Sequence, residues 1–215
     1  MHTTTARLTA ARIVPVIVID DAARASDLAH ALLAGGITSA EVTLRTPAGL
    51  DALAAMATVP GLTVGAGTVL TPEQVQRSAD AGAAFIVSPG FDDDVVATTL
   101  DRGLAALPGI ATATEAMRAL RAGLTEVKFF PADRLGGLAT IEALAAPLPQ
   151  LRFMPSGGVG AHNAVEYLSS AAVFAVSGSW MVNRAAIAAG DHDTIRSASA
   201  AAIALLEAAS ADGAL

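Results

Sequence analysis

Short β-branched runs alternate with alanine- and leucine-rich stretches from one end of this 215-residue chain to the other, and that alternation leaves few folds open. The pattern predicts strands at residues 13–19, 40–44, 63–66, 84–87, 105–107, 126–129, 152–155 and 173–176. Helix-like apolar spacing fills the gaps, at 22–34, 48–57, 72–81, 93–102, 113–122, 138–145 and 161–168. A short helical stretch precedes the first strand, and an alanine-rich helix over 194–209 follows the last. The punctuation agrees. Thr71-Pro72-Glu73 combines an N-cap, a proline at the first helical position and an acid in the first turn. Gly35-Gly36, Gly82, Gly103 and Gly123 stand where helices should end. Eight strand–helix repeats with no proline- or serine-rich linker predict one domain over 1–215, a (β/α)8 barrel of the TIM type with a helix at each terminus. A doubly wound open sheet is the alternative that the same pattern allows.

Composition narrows the function. With 53% hydrophobic and 15% charged residues, the chain can bury a large core. Its formal charge of -7 argues against a nucleic-acid or anionic-membrane surface, since both need basic patches. A phosphorylated small molecule stays open, because backbone N–H groups hold phosphate without net positive charge. No cysteine is present, so disulfides and thiolate metal sites are excluded. The run from Ile13 to Ile19 is too short to span a bilayer and contains Pro15, and no signal-peptide core precedes it. These features predict a cytoplasmic protein.

Lys128 is the sole lysine, against twelve arginines. In a chain that otherwise writes its basic residues as arginine, a surviving lysine marks a place where arginine will not serve. Guanidinium stays protonated, whereas a buried amine can lose its proton and attack carbon. Lys128 falls within Glu126-Val127-Lys128-Phe129, the sixth predicted strand, and lysine is seldom buried unless it is paired or used. Period-two alternation puts Lys128 on one face with Phe130, and Val127 on the other with Phe129. The same rule puts Glu41, Thr43 and Arg45 of the second strand on one face. A carboxylate facing a barrel interior is costly unless something pairs or uses it. Active sites of such barrels lie at the C-terminal strand ends. Gly65-Ala66-Gly67-Thr68, Ser88-Pro89-Gly90, Ser156-Gly157-Gly158 and Ser177-Gly178-Ser179 occupy those ends. Glycine-rich loops after the seventh and eighth strands suit a phosphate.

Glu41-Val42-Thr43-Leu44-Arg45-Thr46, Val64-Gly65-Ala66-Gly67-Thr68-Val69-Leu70, Ser88-Pro89-Gly90, Lys128-Phe129-Phe130-Pro131-Ala132, Ser156-Gly157-Gly158-Val159 and Gly178-Ser179-Trp180 together resemble one family's signature blocks. That family is the 2-keto-3-deoxy-6-phosphogluconate (KDPG) aldolases, also known as 4-hydroxy-2-oxoglutarate (KHG) aldolases. The resemblance runs in order over about residues 13–193. It implies a class I, Schiff-base lyase that cleaves KDPG to pyruvate and glyceraldehyde 3-phosphate, with KHG as a further substrate. It also implies a homotrimer and the use of no metal or cofactor. Carried onto this chain, it makes Lys128 the Schiff-base lysine and Glu41 the general acid/base. Arg45 becomes the carboxylate clamp, Thr68 a second hydrogen bond to the pyruvyl portion, and Pro89 and Phe130 the apolar wall. Gly157, Gly158, Gly178 and Ser179 form the phosphate cradle, with Ser156 beside them. Ser156 stands where the family pattern has threonine, and the hydroxyl is kept. Phe129 within the lysine block favours the gluconate-type enzyme over galactonate-configured relatives.

Several features have plainer readings. Glu41 and Arg45 could form a buried ion pair. Asp92-Asp93-Asp94 reads as three acids opening a helix, favoured there by its dipole. His2, His30, His162 and His192 share no metal-ligand spacing, which argues against a zinc-dependent aldolase. Trp180 and Met181 read as packing residues. A sugar-phosphate isomerase or epimerase and a catalytically silent metabolite-binding barrel are the competing functions; the intact set of Lys128, Glu41 and Arg45 counts against the silent barrel.

Overall fold

The computed structural model describes residues 3–215; His2, one of the histidines weighed above, lies outside them. All strand pairings are parallel. The strands are β1 Ile13–Ile17, β2 Ser39–Thr43, β3 Thr63–Gly67, β4 Phe85–Val87, β5 Ala105–Leu107, β6 Gly109–Ile110, β7 Glu126–Phe129, β8 Arg152–Pro155 and β9 Val176–Gly178. Helices of nine residues follow several of them: α3 Gly49–Ala57, α4 Pro72–Asp80, α5 Asp93–Asp101, α6 Ala113–Arg121 and α7 Gly137–Ala145. Helix α1 Thr3–Ala11 precedes β1, and α2 Ala25–Ala34 follows it after a 3-10 turn. After β8 come α8 Ala164–Leu168, α9 Arg184–Ala189 and α10 His192–Ala211, with β9 between the first two. α10 closes the outer layer against α2.

The predicted start at Thr71 is present, and further caps open α5 and α6. Thr71 accepts from Gln74 N–H, Asp92 accepts from Val95 N–H, and Thr112 and Glu115 make a reciprocal capping box on α6. Asp92, Asp93 and Asp94 open α5 as expected, and Asp93 pairs with Arg118.

Hydrogen bonding gathers the strands into a six-stranded sheet, β5-β4-β3-β2-β1-β9, and a three-stranded sheet, β6-β7-β8. The expected fifth strand is therefore followed by a second short one. Pro108 causes the break, because it has no N–H to continue the ladder. Its carbonyl still accepts from Lys128 N–H at 2.9 Å. At the other seam only the bridges Phe153↔Val173 and Ser156↔Ser177 connect β8 with the chain around β9. The predicted strand at 173–176 survives as that bridge, and the regular ladder starts three residues later at Val176.

Each strand is buried on both faces, as parallel strands under helices should be. On β7, Val127 and Phe129 face the large outer cluster with Ile86, Phe153 and Ile141. Val14, Phe85, Val87, Leu107 and Met154 turn the other way and pack with Leu8 of α1 into a second cluster. Phe129 shares a strand with Lys128 yet faces away from it, so Phe129→Ala tests the core without touching the interior polar groups. Loss of that fully buried ring should cost about 3–5 kcal/mol, read as a lower urea midpoint. A change below about 1 kcal/mol would contradict full burial of the ring in this cluster.

Candidate active site

Lys128 is held from both sides by its strand neighbours, with Gly109 across from it in β6 and Met154 in β8. The alternation that buries Val127 and Phe129 in the outer core turns the Lys128 side chain inward, where the residue is 6% exposed. Its Nζ lies 3.4 Å from Oε1 of Glu41, which is 1% exposed at the centre of β2. The ring of Phe130 covers the amine at 5.2 Å. A carboxylate and an amine this deeply withdrawn from water depend on each other; either alone would be a costly buried charge.

The two groups form the floor of a cavity of about 290 Å3. Arg45, Thr68, Pro89, Phe130, Ser156, Gly157, Gly158, Gly178 and Ser179 line the rest, so every predicted site residue meets in one place. Arg45 is exposed at the rim, where its Nε donates to Thr43 Oγ1 at 3.3 Å. Thr43 in turn donates to the Ile17 carbonyl at 2.8 Å, which fixes the base of the guanidinium. The Glu41–Arg45 ion pair considered above does not form; Glu41 pairs with Lys128 instead.

Thr68 has φ of +59°, the left-handed region that threonine seldom adopts. The strain is on the order of 1–2 kcal/mol, and it places the residue in the cavity wall directly after β3.

The turn after β8 is built for close approach. Gly157 and Gly158 have φ of +89° and +82°, and a Cβ on Gly158 would lie 2.2 Å from Asp133 Cβ. The carbonyls of Ser156, Gly157 and Gly158 accept from Ala132 N–H, Asp133 N–H and Asn163 Nδ2, respectively. A trans peptide points each following N–H the opposite way. The N–H groups of Gly157, Gly158 and Val159 therefore turn from those partners, beside the cavity that all three residues line.

Val16, Thr43 and Val159 also line the cavity and were not among the predicted site residues. Thr43 carried a usable signal, since it alternates with Glu41 and Arg45. The two valines carried none that separates them from core residues. Among the described residues no three His, Asp or Glu side chains gather as a metal-binding group.

The chain matches the model of the KDPG and KHG aldolase family over residues 4–198. It belongs to that family. A 2-dehydro-3-deoxy-phosphogluconate aldolase from Treponema pallidum is 44% identical over 185 residues, covering 86% of this chain and 88% of the relative. The KDPG aldolase of Legionella pneumophila, solved with pyruvate captured as a covalent carbinolamine intermediate, superimposes with a TM-score of 0.89 at 38% identity. That match covers 93% of this chain and 98% of the other. The Zymomonas mobilis KDPG aldolase with 3-phosphoglycerate gives a TM-score of 0.83 at 39% identity, covering 92% and 95%. A KDPG/KHG aldolase is a carbon–carbon lyase, and the buried amine–carboxylate pair in the cavity floor is chemically suited to that work.

Proposed function

We propose that this family member is a class I aldolase that cleaves KDPG to pyruvate and glyceraldehyde 3-phosphate, and also cleaves KHG to pyruvate and glyoxylate. The Lys128–Glu41 pair at 3.4 Å carries the reading, because it sets a nucleophile beside a proton carrier in a site shielded from water. The neutral amine of Lys128 attacks the C2 ketone, and loss of water leaves an iminium. Glu41 takes the proton from the C4 hydroxyl as the C3–C4 bond breaks, and the electron pair flows into the iminium to give an enamine. The aldehyde leaves. Glu41 then returns a proton to C3, and water releases pyruvate from Lys128. No external oxidant, reductant or metal is needed for this balance.

Arg45 and Thr68 hold the carboxylate and keto end, where a guanidinium fork suits a planar carboxylate. Pro89 and Phe130 wall the iminium from water. The phosphate sits against Ser156, Gly157, Gly158, Gly178 and Ser179, where the glycine turn supplies outward N–H groups. An isomerase reading leaves Glu41 a role but gives the buried lone amine no covalent task.

In this reading residues 1–215 form one domain, and the two sheets act together as a closed (β/α)8 barrel bridged at Pro108 and at Ser156↔Ser177. No helix among the described residues is long and apolar enough to cross a membrane. A cytoplasmic homotrimer is part of the proposal, supported by family membership.

The test is incubation with pyruvate and borohydride followed by mass analysis. One reduced pyruvyl group should appear on the protein and map to Lys128. Absence of an adduct, or an adduct elsewhere, removes the aldolase reading.

A further inference from the structure

Glu41 has two carboxylate oxygens, and only Oε1 is engaged by Lys128. Oε2 accepts from Ser177 Oγ at 3.4 Å, and both residues are buried, at 1% and 0% exposure. The geometry points to Ser177 as a positioning residue that sets the rotation of the Glu41 carboxylate; the inference rests on the aldolase reading above.

Three observations converge on this role. First, Ser177 cannot drift. Its backbone pairs with Val14 of β1 on one side and bridges to Ser156 on the other, so the hydroxyl is anchored at the seam between the two sheets. Second, Glu41 is confined from below. A Cβ on Gly67 would lie 2.2 Å from Glu41 Oε1 and 2.5 Å from its Cγ, so the bare glycine backbone is what leaves space for the carboxylate. Third, the hydroxyl has no competing role. Ser177 does not line the substrate cavity, and Glu41 is the partner its side chain reaches. The carboxylate is thus pinned through Oε2 to a fixed donor, which presents Oε1 to the amine and the reacting carbons. Arg45, the other cation of the cavity, is tied to Thr43 and leaves this carboxylate to Lys128 and Ser177.

Proton transfer tolerates little misplacement, so freeing one carboxylate oxygen should lower the rate of the steps Glu41 performs. Substrate binding and the attachment of pyruvate to Lys128 should be retained. Ser177→Ala keeps the Cβ and removes only the donor; Ser177→Gly is a second variant should the first fold poorly. For Ser177→Ala, kcat for KDPG cleavage should fall about tenfold with KM within about twofold. Exchange of pyruvate methyl protons with deuterium, which needs the enamine and a proton carrier, should fall by the same factor. Borohydride trapping of pyruvate should reach the parent's extent.

The deciding measurement is a double-mutant cycle with Glu41→Gln. If Ser177 acts through Glu41, adding Ser177→Ala to Glu41→Gln should change kcat by less than about twofold. A purely structural serine would multiply its effect in both backgrounds, and that result overturns the inference. So does Ser177→Ala with parental kcat and exchange. A parent protein that takes up no pyruvate at all removes the aldolase reading itself, and this inference with it; a parent that traps pyruvate while Ser177→Ala is silent removes this inference alone.

Discussion

Lys128→Arg should abolish carbon–carbon cleavage, with kcat/KM for KDPG down by about 10^4-fold or more, and should leave no borohydride-trapped pyruvate on the protein. The substitution keeps a positive charge beside Glu41, so the electrostatic contribution of the cation survives. What disappears is the nucleophile, because guanidinium neither deprotonates nor adds usefully to a ketone. The change therefore separates covalent chemistry from simple charge stabilisation. An electrostatic lysine, as an isomerase would use it, predicts substantial activity in the arginine variant. Arginine is also larger, and Lys128 is only 6% exposed, so overpacking should cost about 1–3 kcal/mol. A melting curve run beside the assay distinguishes an inactive fold from an unfolded chain. Since Lys128 is the sole lysine, mass analysis of the parent and the variant assigns the adduct almost without peptide mapping. Retained cleavage in a folded Lys128→Arg protein would end the Schiff-base reading.

Glu41→Gln should lower kcat by about 10^2–10^3-fold while KM changes little. The amide is nearly the same size, and its oxygen can still accept from Lys128 or Ser177. It cannot carry a proton between the C4 hydroxyl and the enamine carbon. The predicted signature is a split: pyruvate still attaches to Lys128 under borohydride, whereas exchange of its methyl protons with deuterium slows along with cleavage. Equal loss of trapping and exchange would assign Glu41 to Schiff-base formation alone. A kcat within about tenfold of the parent would remove it as the acid/base. The Lys128–Glu41 distance of 3.4 Å sets the carboxylate directly beside the amine that carries the adduct in this reading.

Much of this site is legible in the amino-acid sequence, and the reason is geometric. Period-two alternation in a strand assigns each residue to a face, so Glu41, Arg45 and Lys128 could be sent toward one interior from their positions alone. Glycine pairs after strands point to close backbone approach, and Gly157-Gly158 does adopt the left-handed conformation that requires them. The arginine-rich background gave Lys128 a contrast that an ordinary composition would have hidden. Strand edges were less legible. The start of β9 shifted because residues 173–175 are apolar enough to read as strand, yet they make one bridge in place of a ladder. The break at Pro108 had a local sign, since proline cannot donate. Helix α9 was missed: six residues, Arg-Ala-Ala-Ile-Ala-Ala, are too few to show a helical period, and the Asn183 cap that starts it is visible mainly in retrospect.

The amino-acid sequence by itself determined which chemistry is available and on which strand faces it lies. It supplied an amine able to deprotonate, a carboxylate on an interior strand face, a guanidinium, and glycines at the strand ends. Tertiary structure decided which of these touch. Glu41 pairs with Lys128 across 87 positions and with Ser177 across 136, instead of with Arg45 four residues away. Such choices depend on how neighbouring strands are registered and on how the sheets meet at their seams, as at Ser156↔Ser177. They also depend on the absence of a single Cβ at Gly67. Local periodicity carries no information about registers between distant strands, because those are settled by packing of the whole core. The role of Ser177 is visible for that reason only where the strands of the two sheets lie side by side.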